Sequence, residues 1–326
     1  MKLVQTNKPR IAIVVPAYNE EENLPVLHEA VRNAVADLPY HFTIIYVDDG
    51  STDGSPALLG RLAESERDVV AVRLSRNFGH QAALSAGLDE ARSIDADAVI
   101  SMDADLQHPP ELLPELIAQW ERGYHIVYTI RDDTRLASWF KRSTSRLFYR
   151  LTGMLTDTPV PQGAADFRLI ARAPLNVLLD LPERARVLRS LSAWIGFRQV
   201  GIHYTPAPRF RGTSHYSLRK MYGLALDTLV STSTKPIKHV VFGGLLLSGL
   251  AGLYLAWIVY AHFFTDRTLP GWSSVMAAIL LLGGVNLSVL GVMAIYLAKV
   301  FEEVKGRPLY VVQERKGEAS HPEKNI

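Results

Sequence analysis

Two long stretches in the C-terminal third of the chain contain no Asp, Glu, Lys or Arg, and they restrict the possible folds more than any other feature. They cover residues 240–265 and 268–298. Each exceeds the roughly 20 residues that an α-helix needs to cross a bilayer. Only Asp266 and Arg267 separate them, and Pro270 and Gly271 favour a turn. The sequence predicts a hairpin of two transmembrane helices, with two buried helices of a soluble protein as the alternative.

Basic residues flank this predicted hairpin on both sides. Lys235 and Lys238 precede it, and Lys299 and Lys305 follow it. Because short loops rich in Lys and Arg stay in the cytoplasm, both ends of the hairpin are predicted to lie there. The first apolar run, residues 11–15, is too short for the core of a signal peptide. We therefore expect a multi-pass protein of the cell's inner (plasma) membrane with its N-terminal part and both termini in the cytoplasm.

The composition excludes several classes of protein. The net charge of the 326 residues is only +2, so no overall basic field predicts binding to nucleic acid. The chain has no cysteine, which excludes disulfides, thiolate metal sites and a cysteine nucleophile. Its hydrophobic content of 48% agrees with partial insertion in a membrane.

Between residues 11 and 129, short β-rich apolar runs alternate with longer amphipathic stretches, a pattern typical of an α/β fold with a mostly parallel sheet and flanking helices. The predicted strands cover residues 11–15, 42–47, 69–74, 98–102 and 126–129. The predicted helices cover residues 21–36, 55–64, 81–92 and 110–121. The expected segments are an α/β domain over 1–210, a juxtamembrane amphipathic linker over 211–236, two transmembrane helices within 237–301 (about 240–264 and 272–298), and a cytosolic tail over 302–326.

Two copies of Asp-Ala-Asp lie on either side of the fourth predicted strand. Asp95 and Asp97 precede the strand, and Asp103 and Asp105 follow it. Ligands of such sheets bind at the carboxyl ends of the strands, so the second copy is expected at the site and the first is interpreted as a turn. Two carboxylates and the amide oxygen of Gln107 suit Mg²⁺ or Mn²⁺ beside a diphosphate. Such a cation stabilises a departing diphosphate, which favours glycosyl or nucleotidyl transfer.

Two more polar clusters follow strands at the same predicted edge. Residues 16–20 follow the first strand and residues 48–51 follow the second. Each could be a turn or a helix cap by itself, but their joint placement predicts one binding crevice. The sequence has no G-x-G-x-x-G after a strand and no P-loop, which argues against a dinucleotide-binding domain and a P-loop NTPase.

An ordered set of motifs along nearly the whole chain resembles family 2 glycosyltransferases of the GT-A fold. More narrowly, it is similar to the polyisoprenyl-phosphate glycosyltransferases, the group that contains dolichol-phosphate mannose synthase and bactoprenol glucosyl transferase. The motifs are Pro16-x-Tyr18-Asn19-Glu20, Val47-Asp48-Asp49-Gly50-Ser51, Arg76-Asn77-Phe78-Gly79-His80, Asp103-Ala-Asp105-Leu-Gln107, Asp166-Phe167-Arg168-Leu169, Ser192-Ala193-Trp194-Ile195-Gly196-Phe197 and Arg209-x-x-Gly212-x-Ser214.

The resemblance implies a role for each matching residue. The residues implied to bind the nucleotide sugar, linked to UDP or GDP, are Pro16, Tyr18, Glu20, Asp49 and Asp103. Those implied to hold the metal, Mg²⁺ or Mn²⁺, are Asp103, Asp105 and Gln107. The acceptor would be a polyisoprenyl phosphate, undecaprenyl or dolichyl, and its phosphate would be bound by Arg131, Lys141, Ser145 and Arg209.

The implied catalytic residues are Asp105, Asp166 and Arg131. A phosphate acceptor is already an anion at neutral pH, so positioning by cations matters more than general-base strength, and in-line attack would invert the anomeric carbon. Asp166 is the favoured catalytic carboxylate, while an ion pair to Arg168 or another nearby Arg is its structural alternative. The chain departs from the family pattern at Thr129 and Ala165, each in place of a usual Gly.

Two segments near the predicted membrane boundary combine aromatic and basic residues. Residues 136–155 are predicted to form an amphipathic helix on the inner leaflet, and residues 217–230 a second one. Packing of both on the sheet is the alternative. Two rival functions stay open: a non-catalytic membrane scaffold, and a processive polysaccharide synthase, which is disfavoured because a Gln-x-x-Arg-Trp motif is absent from the sequence. The tail at residues 309–313 is predicted to form a strand whose free edge could pair two subunits in a homo-oligomer.

Overall fold

The computed structural model describes residues 8–132, 163–183, 187–205, 235–264 and 271–317. These residues form two compact units. The first contains the described residues up to 205 together with residues 307–317, and the second contains the described residues between 235 and 306. The predicted amphipathic segments at 136–155 and 217–230 lie outside the described residues.

The first unit is built on a mixed sheet of eight strands. The strands are β1 (Arg10–Ala17), β2 (His41–Asp48), β3 (Val69–Leu74), β4 (Ala98–Ser101), β5 (Ile126–Arg131), β6 (Ala164–Ala171), β7 (Gln199–Tyr204) and β8 (Val312–Lys316). Their order in the sheet is β7-β5-β6-β4-β1-β2-β3-β8, and β6 and β8 run antiparallel to their neighbours. The prediction of a mostly parallel sheet is confirmed.

Helices cover both faces of this sheet. They are α1 (Leu24–Val35), α2 (Ser55–Ser65), α3 (His80–Ser93), a 3₁₀ turn (Pro110–Leu112), α4 (Leu113–Glu121), α5 (Arg172–Asp180) and α6 (Leu188–Trp194). The apolar run in β1 explains why two layers form. Ile11 and Ile13 point into the core on one face, and Ala12 and Val14 point into the core on the other. A strand buried on both faces needs the continuous apolar run that the sequence shows.

Helix α1 begins three residues later than predicted. The backbone N–H groups of Asn23 and Leu24 both donate to the carbonyl of Glu20, at 3.0 Å each. This turn uses residues 21–23 before the helix starts. The helix predicted over 110–121 likewise opens with the 3₁₀ turn and continues as α4.

Strand β6 brings its first residues to the edge of the sheet at which the parallel strands end. It lies between β4 and β5, with Ser101 opposite Arg168 and Ile130 opposite Ala164. Because β6 is antiparallel, its first residues lie beside the last residues of the parallel strands. Asp166 therefore reaches the same edge as the Asp103 loop.

The C-terminal strand forms within the chain's own sheet, and its bounds differ from the predicted ones. We predicted a strand over 309–313 with a free edge; the structure has β8 at Val312–Lys316, paired antiparallel with β3. The Tyr310 hydroxyl donates to Asp89 at 2.8 Å, and Arg315 donates to Glu90 at 2.6 Å. The tail is thus anchored to both β3 and α3.

The second unit contains two long helices, α7 (Lys235–Phe264) and α8 (Trp272–Val304). Among the described residues, one helical stretch, Leu281–Val304, is long and apolar enough to cross a membrane by length and composition. A shorter apolar stretch, Val240–Tyr254, lies in α7. The two helices correspond in position to the predicted hairpin.

Candidate active site

The loops after β1 and β2 are joined by hydrogen bonds between them. The Asn19 N–H donates to the Ser51 hydroxyl at 2.9 Å, and the Asn19 side-chain oxygen accepts the Thr52 N–H at 2.8 Å. The Glu20 N–H donates to the Ser55 hydroxyl at 3.0 Å. Asn19 has a φ of 56°, a left-handed conformation that Asn tolerates better than most residues. The two predicted polar clusters therefore form one continuous wall at this edge of the sheet.

Asp49 joins this wall to a third loop, the one between β3 and α3. Its two carboxylate oxygens accept the N–H groups of Phe78 and Gly79, at 2.8 and 2.9 Å. The side chain is only 3% exposed, and this burial raises the pKa of Asp49 although the two hydrogen bonds oppose the rise. In the structure Asp49 thus orients the loop of residues 76–80. Its predicted contact with the nucleoside stays a prediction.

Gly50 allows the second and third loops to approach closely. Its φ is +69°, and a Cβ at this position would lie 2.4 Å from the carbonyl carbon of Arg76. Both the dihedral angle and the space therefore require glycine here. The Asp-Asp-Gly-Ser sequence is thus explained by loop packing as well as by any ligand.

The loop after β4 carries the second Asp-Ala-Asp copy in a constrained conformation. Leu106 has a φ of 61°, which is unusual for a bulky residue and marks a site where the surrounding structure holds strain. Asp105 accepts the Gln107 N–H at 3.1 Å, and the Gln107 side-chain oxygen accepts a hydrogen bond from Arg131 at 2.9 Å. The predicted metal motif and the predicted phosphate-binding Arg131 are therefore brought together.

His108 supports this loop from the buried side. Its Nδ1 accepts the Asp103 N–H at 2.9 Å, and its ring stacks on Phe167 with centroids 5.1 Å apart. Burial lowers the pKa of His108 against the opposing effect of Asp103 and Asp105. The ring is therefore the neutral tautomer with its proton on Nε2, as the hydrogen bond assigns.

His80 and Asp166 complete the edge. The His80 Nε2 lies 3.5 Å from an oxygen of Asp103 and 3.7 Å from an oxygen of Asp166. Desolvation opposes the charged ring, but the neighbouring Asp166 and Asp103 carboxylates outweigh it and raise the pKa of His80. This histidine links the third loop to the fourth.

Asp166 is buried and held by several donors. Arg189 binds it in a bidentate manner, with nitrogen–oxygen distances of 2.9 and 2.7 Å, and Gln81 donates to it at 3.1 Å. Burial would raise the pKa of Asp166, but Arg189 and His80 hold it well below the usual value. Arg168 is more distant, at 3.9 Å. The carboxylate is therefore charged, and its main ionic partner is Arg189.

Arg168 supports the strand from inside the unit. It is 2% exposed, donates to the Ala165 carbonyl at 2.7 Å and contacts the Ser192 hydroxyl. Burial lowers its pKa to about 10. Arg168 thus packs α6 onto β6 and positions the helix that carries Arg189.

The remaining predicted residues have distinct positions. Pro16 is buried in β1, Tyr18 is 45% exposed, and Glu20 accepts a hydrogen bond from Asn23. The predicted acceptor-phosphate residues Lys141, Ser145 and Arg209 lie outside the described residues.

The first Asp-Ala-Asp copy has a structural role at the opposite edge. Arg172 contacts Asp95 at 2.9 Å and Asp97 at 3.1 Å, and Asp97 accepts the Arg10 N–H at 2.8 Å. Asp95 has a φ of 59°, which is typical of a turn. This copy ties β1 to the start of β4 and α5.

Three residues of the site had no part in the sequence predictions, namely Ser55, His108 and Arg189. Ser55 and Arg189 act through contacts with residues 35 and 23 positions away, so no local pattern indicated them. His108 directly follows Gln107 of the predicted metal motif, and that position was the available signal. Ser51 and His80 belong to quoted motifs, but no role was predicted for them.

The described residues contain no cluster of three or more His, Cys, Asp and Glu side chains able to hold a metal. Asp103 and Asp105 supply two carboxylates on one strained loop, and Asp103 is 36% exposed at its side chain. Magnesium-type sites commonly use one or two carboxylates and take further oxygens from substrate phosphates and water. The donor set therefore fits a divalent cation that binds together with a diphosphate.

Comparison with known proteins identifies the family. The model of the family described as Glycosyl transferase family 2 matches residues 12–179. A Synechocystis protein described as an uncharacterized glycosyltransferase is 41% identical over 304 residues, which cover 93% of this chain and 95% of the relative. The bactoprenol glucosyl transferase of Shigella phage SfII is 35% identical over 304 residues, with 93% and 97% covered.

Among solved structures, a mannosyltransferase from Pyrobaculum calidifontis in complex with GDP-Man and Mn²⁺ aligns with a TM-score of 0.46 at 19% identity, over 93% of this chain and 86% of that one. The family match and the two relatives carry the conclusion. The chain belongs to glycosyltransferase family 2 and is a glycosyltransferase. The resemblance found in the sequence is confirmed at this level.

Proposed function

We propose that this glycosyltransferase transfers a sugar from a UDP- or GDP-linked donor to a polyisoprenyl phosphate at the cytosolic face of a membrane, with inversion at the anomeric carbon. The observation that carries the proposal is the convergence of four loops with the ends of β5 and β6 at one sheet edge. Arg131 contacts Gln107 of the Asp103 loop, and His80 lies between Asp103 and Asp166. The relatives named bactoprenol glucosyl transferase support the choice of acceptor.

The donor would bind against the wall formed by the first two loops. Tyr18 and Glu20 of the loop after β1 are proposed to contact the donor together with Pro16 and Asp49, and Asp49 is the residue that accepts the Phe78 N–H. Asp103 and Asp105, with the Gln107 amide, would hold Mg²⁺ or Mn²⁺, which when bound supplies positive charge for the departing diphosphate.

The acceptor phosphate would be positioned by cationic side chains. Arg131 contacts Gln107 of the predicted metal motif, and it can make planar, multidentate hydrogen bonds to phosphate. Lys141, Ser145 and Arg209 are proposed to join it. Asp166, kept charged by Arg189, would stabilise positive charge developing on the anomeric carbon.

The apolar surface of α7 and α8 supports a position in a membrane. Leu253, Leu287 and Leu297 are 71, 72 and 68% exposed among the described residues. Soluble proteins rarely expose continuous apolar surface of this kind, so lipid is the medium that suits both helices. Insertion of α7 and α8 would hold the enzyme at a membrane, which contains the lipid phosphate. The sugar nucleotide would arrive from the cytosol.

The test uses membranes that contain the full chain. They are incubated with a panel of UDP-, GDP- and CMP-sugars and undecaprenyl phosphate, and the glycolipid product is identified by mass spectrometry. We expect one sugar nucleotide to give a polyprenyl-phosphate sugar, and EDTA to stop its formation. A product formed with undiminished yield in EDTA would refute the metal-dependent mechanism.

A matched pair of variants separates a catalytic site from a scaffold. Asp103→Ala should lower transfer at least about 100-fold, because a metal-binding carboxylate acts on charge that develops in the transition state. Asp95→Ala removes the equivalent residue of the first Asp-Ala-Asp copy, on the opposite edge, and should retain most activity. Undiminished activity in Asp103→Ala would refute the proposed role of this carboxylate, and activity of the wild type and both variants no higher than that of membranes without the chain would favour the scaffold alternative.

A further inference from the structure

The C-terminal tail contacts both of the elements that flank the active-site loop of residues 76–80. Residues 310–316, called here the tail clamp, follow α8 in the chain and include β8. On one side the clamp pairs with β3, the strand that ends just before the loop. On the other side it contacts α3, the helix that begins at His80, the last residue of the loop. The clamp therefore bridges the two ends of one active-site loop.

The contact with β3 continues into the residue that precedes the loop. The Ser75 N–H donates to the Val311 carbonyl at 2.9 Å, which extends the pairing beyond Leu74, the last residue of β3. The register of the pairing shifts between Arg73 and Leu74. An irregularity of this kind bends a strand locally. The clamp thus sets the direction in which the chain leaves β3 for the loop.

Tyr310 connects the clamp to α3. Its ring packs against the core on this face of the sheet, and its hydroxyl donates to Asp89 at 2.8 Å. Arg315 adds hydrogen bonds to Glu90, at 2.9 and 2.6 Å. Hydrogen bonds to charged groups are stronger than those between neutral groups. Since Asp89 and Glu90 lie on the same helix as His80, these contacts fix the distance between β3 and α3 that the loop must span.

The end of the loop is held by hydrogen bonds rather than by close packing. Gly79 has a φ of +97°, and a Cβ built there would have no atom of the described residues within 4 Å. The N–H groups of Phe78 and Gly79 donate to Asp49, and the His80 ring lies 3.5 Å from Asp103. A shift of either flanking element would lengthen these contacts directly.

We propose that Tyr310 is a positioning residue for the sugar-nucleotide site and acts through α3 and the loop of residues 76–80. The loop contacts Asp49 and Asp103, and the inference rests on the proposed function because that function assigns both residues to the donor. Asp166 is held by Arg189 of α6, so the carboxylate proposed to act in the chemical step keeps its place when the clamp loosens. The chain that follows α8 therefore sets the geometry of the donor site.

The first test removes the Tyr310 hydroxyl and retains its ring. In Tyr310→Phe we expect the KM for the sugar nucleotide to rise about 3- to 10-fold, the effect of one hydrogen bond, while kcat stays within about twofold of the wild type. Lys316→Gln is the matched control, because Lys316 of the same clamp contacts Glu64 of α2, at 2.9 Å, instead of α3. Its KM should equal that of the wild type. An unchanged KM in Tyr310→Phe, or an equal rise in Lys316→Gln, would overturn the inference.

Changes at Asp89 test whether the effect passes through this contact. Asp89→Asn retains an oxygen that accepts the Tyr310 hydroxyl hydrogen and should keep the KM close to that of the wild type, whereas Asp89→Leu should raise it as Tyr310→Phe does. The double variant Tyr310→Phe with Asp89→Leu should raise the KM no further than either single variant. A double variant whose KM rises by the product of the two single effects would exclude the proposed route.

Hydrogen exchange separates this inference from the proposed function, because the measurement needs no substrate. In the full chain in detergent, we expect the amides of residues 77–80 to exchange faster in Tyr310→Phe than in the wild type, while those of α1, on the opposite face of the sheet, exchange as before. Equal exchange in the loop would overturn the inference even in an enzyme that transfers sugar. Faster exchange in a chain that transfers no sugar would support the role of Tyr310 in holding the loop and overturn the proposed function alone.

Discussion

Replacing Arg189 should destabilise the protein because it leaves a buried carboxylate without its main partner. The Asp166 side chain is 5% exposed and Arg189 donates to both of its oxygens, at 2.9 and 2.7 Å. Breaking a buried ion pair on one side costs about 3–5 kcal/mol. The Arg189 side chain is 46% exposed, so water compensates part of the loss, and we expect about 2–3 kcal/mol for Arg189→Gln.

The effect can be measured as a change in melting temperature. For a domain of about 150–250 residues, 1 kcal/mol corresponds to roughly 2–4 °C. Arg189→Gln should therefore lower the Tm of the detergent-solubilised full chain by about 4–12 °C, followed by tryptophan fluorescence. Arg92→Gln is the matched control, because Arg92 pairs with the exposed Asp180 at 2.7 Å and such surface pairs contribute at most about 1 kcal/mol.

The pH dependence of this difference has a defined sign. Burial acts to raise the pKa of Asp166. Arg189 and His80 stabilise the charged form more strongly, so the pKa lies well below its usual value. The resulting stability is present above the pKa of an unfolded Asp, near pH 4, and is lost as the pH falls through the lower folded-state pKa. The Tm difference between wild type and Arg189→Gln should be full at pH 7 and decrease below about pH 4.

The double variant Asp166→Asn with Arg189→Gln provides a further check. Removing the charge from both partners should recover part of the stability that Arg189→Gln loses alone. The reasoning is refuted if Arg189→Gln and Arg92→Gln melt at the same temperature. It is also refuted if the deficit of Arg189→Gln grows as the pH falls below 4.

Two further predictions concern the loops. Gly50→Ala should lower the free energy of unfolding by about 2 kcal/mol or more, and Gly79→Ala by about 1 kcal/mol, because both have a positive φ but only Gly50 lacks space for a Cβ. Equal Tm values would contradict this. His108→Phe preserves a ring beside Phe167 but leaves the Asp103 N–H without its acceptor, which should cost about 1–3 kcal/mol and raise the metal concentration needed for half-maximal transfer. An unchanged metal requirement would mean that His108 does not position the loop.

The parallel half of the sheet was predictable because its strands are continuous apolar runs. The five predicted strands correspond to β1–β5, with ends that differ by at most two residues. The polarity of β4 also distinguished Asp103 and Asp105 from the first Asp-Ala-Asp copy. In both cases the information lies in local sequence and in the general geometry of α/β sheets.

Strand β6 was not predicted because its sequence contains two buried charged residues. Asp166 and Arg168 are 4 and 2% exposed within a strand that is buried throughout. Residues of α6 bind both side chains: Arg189 pairs with Asp166, and Ser192 contacts Arg168. A pattern of hydrophobic residues does not reveal such partners from another part of the chain. For the same reason the sequence suggested Arg168 or another Arg as the partner of Asp166, whereas the structure gives the closest contacts to Arg189.

The sequence predicted a strand in the C-terminal tail, but the predicted residues differ from those of β8. Residues 309–313 include the apolar run that suggested a strand, yet β8 begins at Val312 and continues into charged residues. An edge strand needs few apolar side chains, because it has a neighbouring strand on one edge only and solvent reaches the other edge. Its pairing with β3 is a long-range contact that the local sequence does not contain.

The hydrogen bonds between the active-site loops have a consequence for the rate of turnover. Each loop is attached to the next, from Asn19 and Ser51 through Asp49 and His80 to the Asp103 loop. A nucleotide product that needs one loop to move must therefore displace its neighbours as well. Release should require a collective opening, so the slow step of the cycle would be the departure of the spent nucleotide, and the loops would exchange their amide hydrogens together.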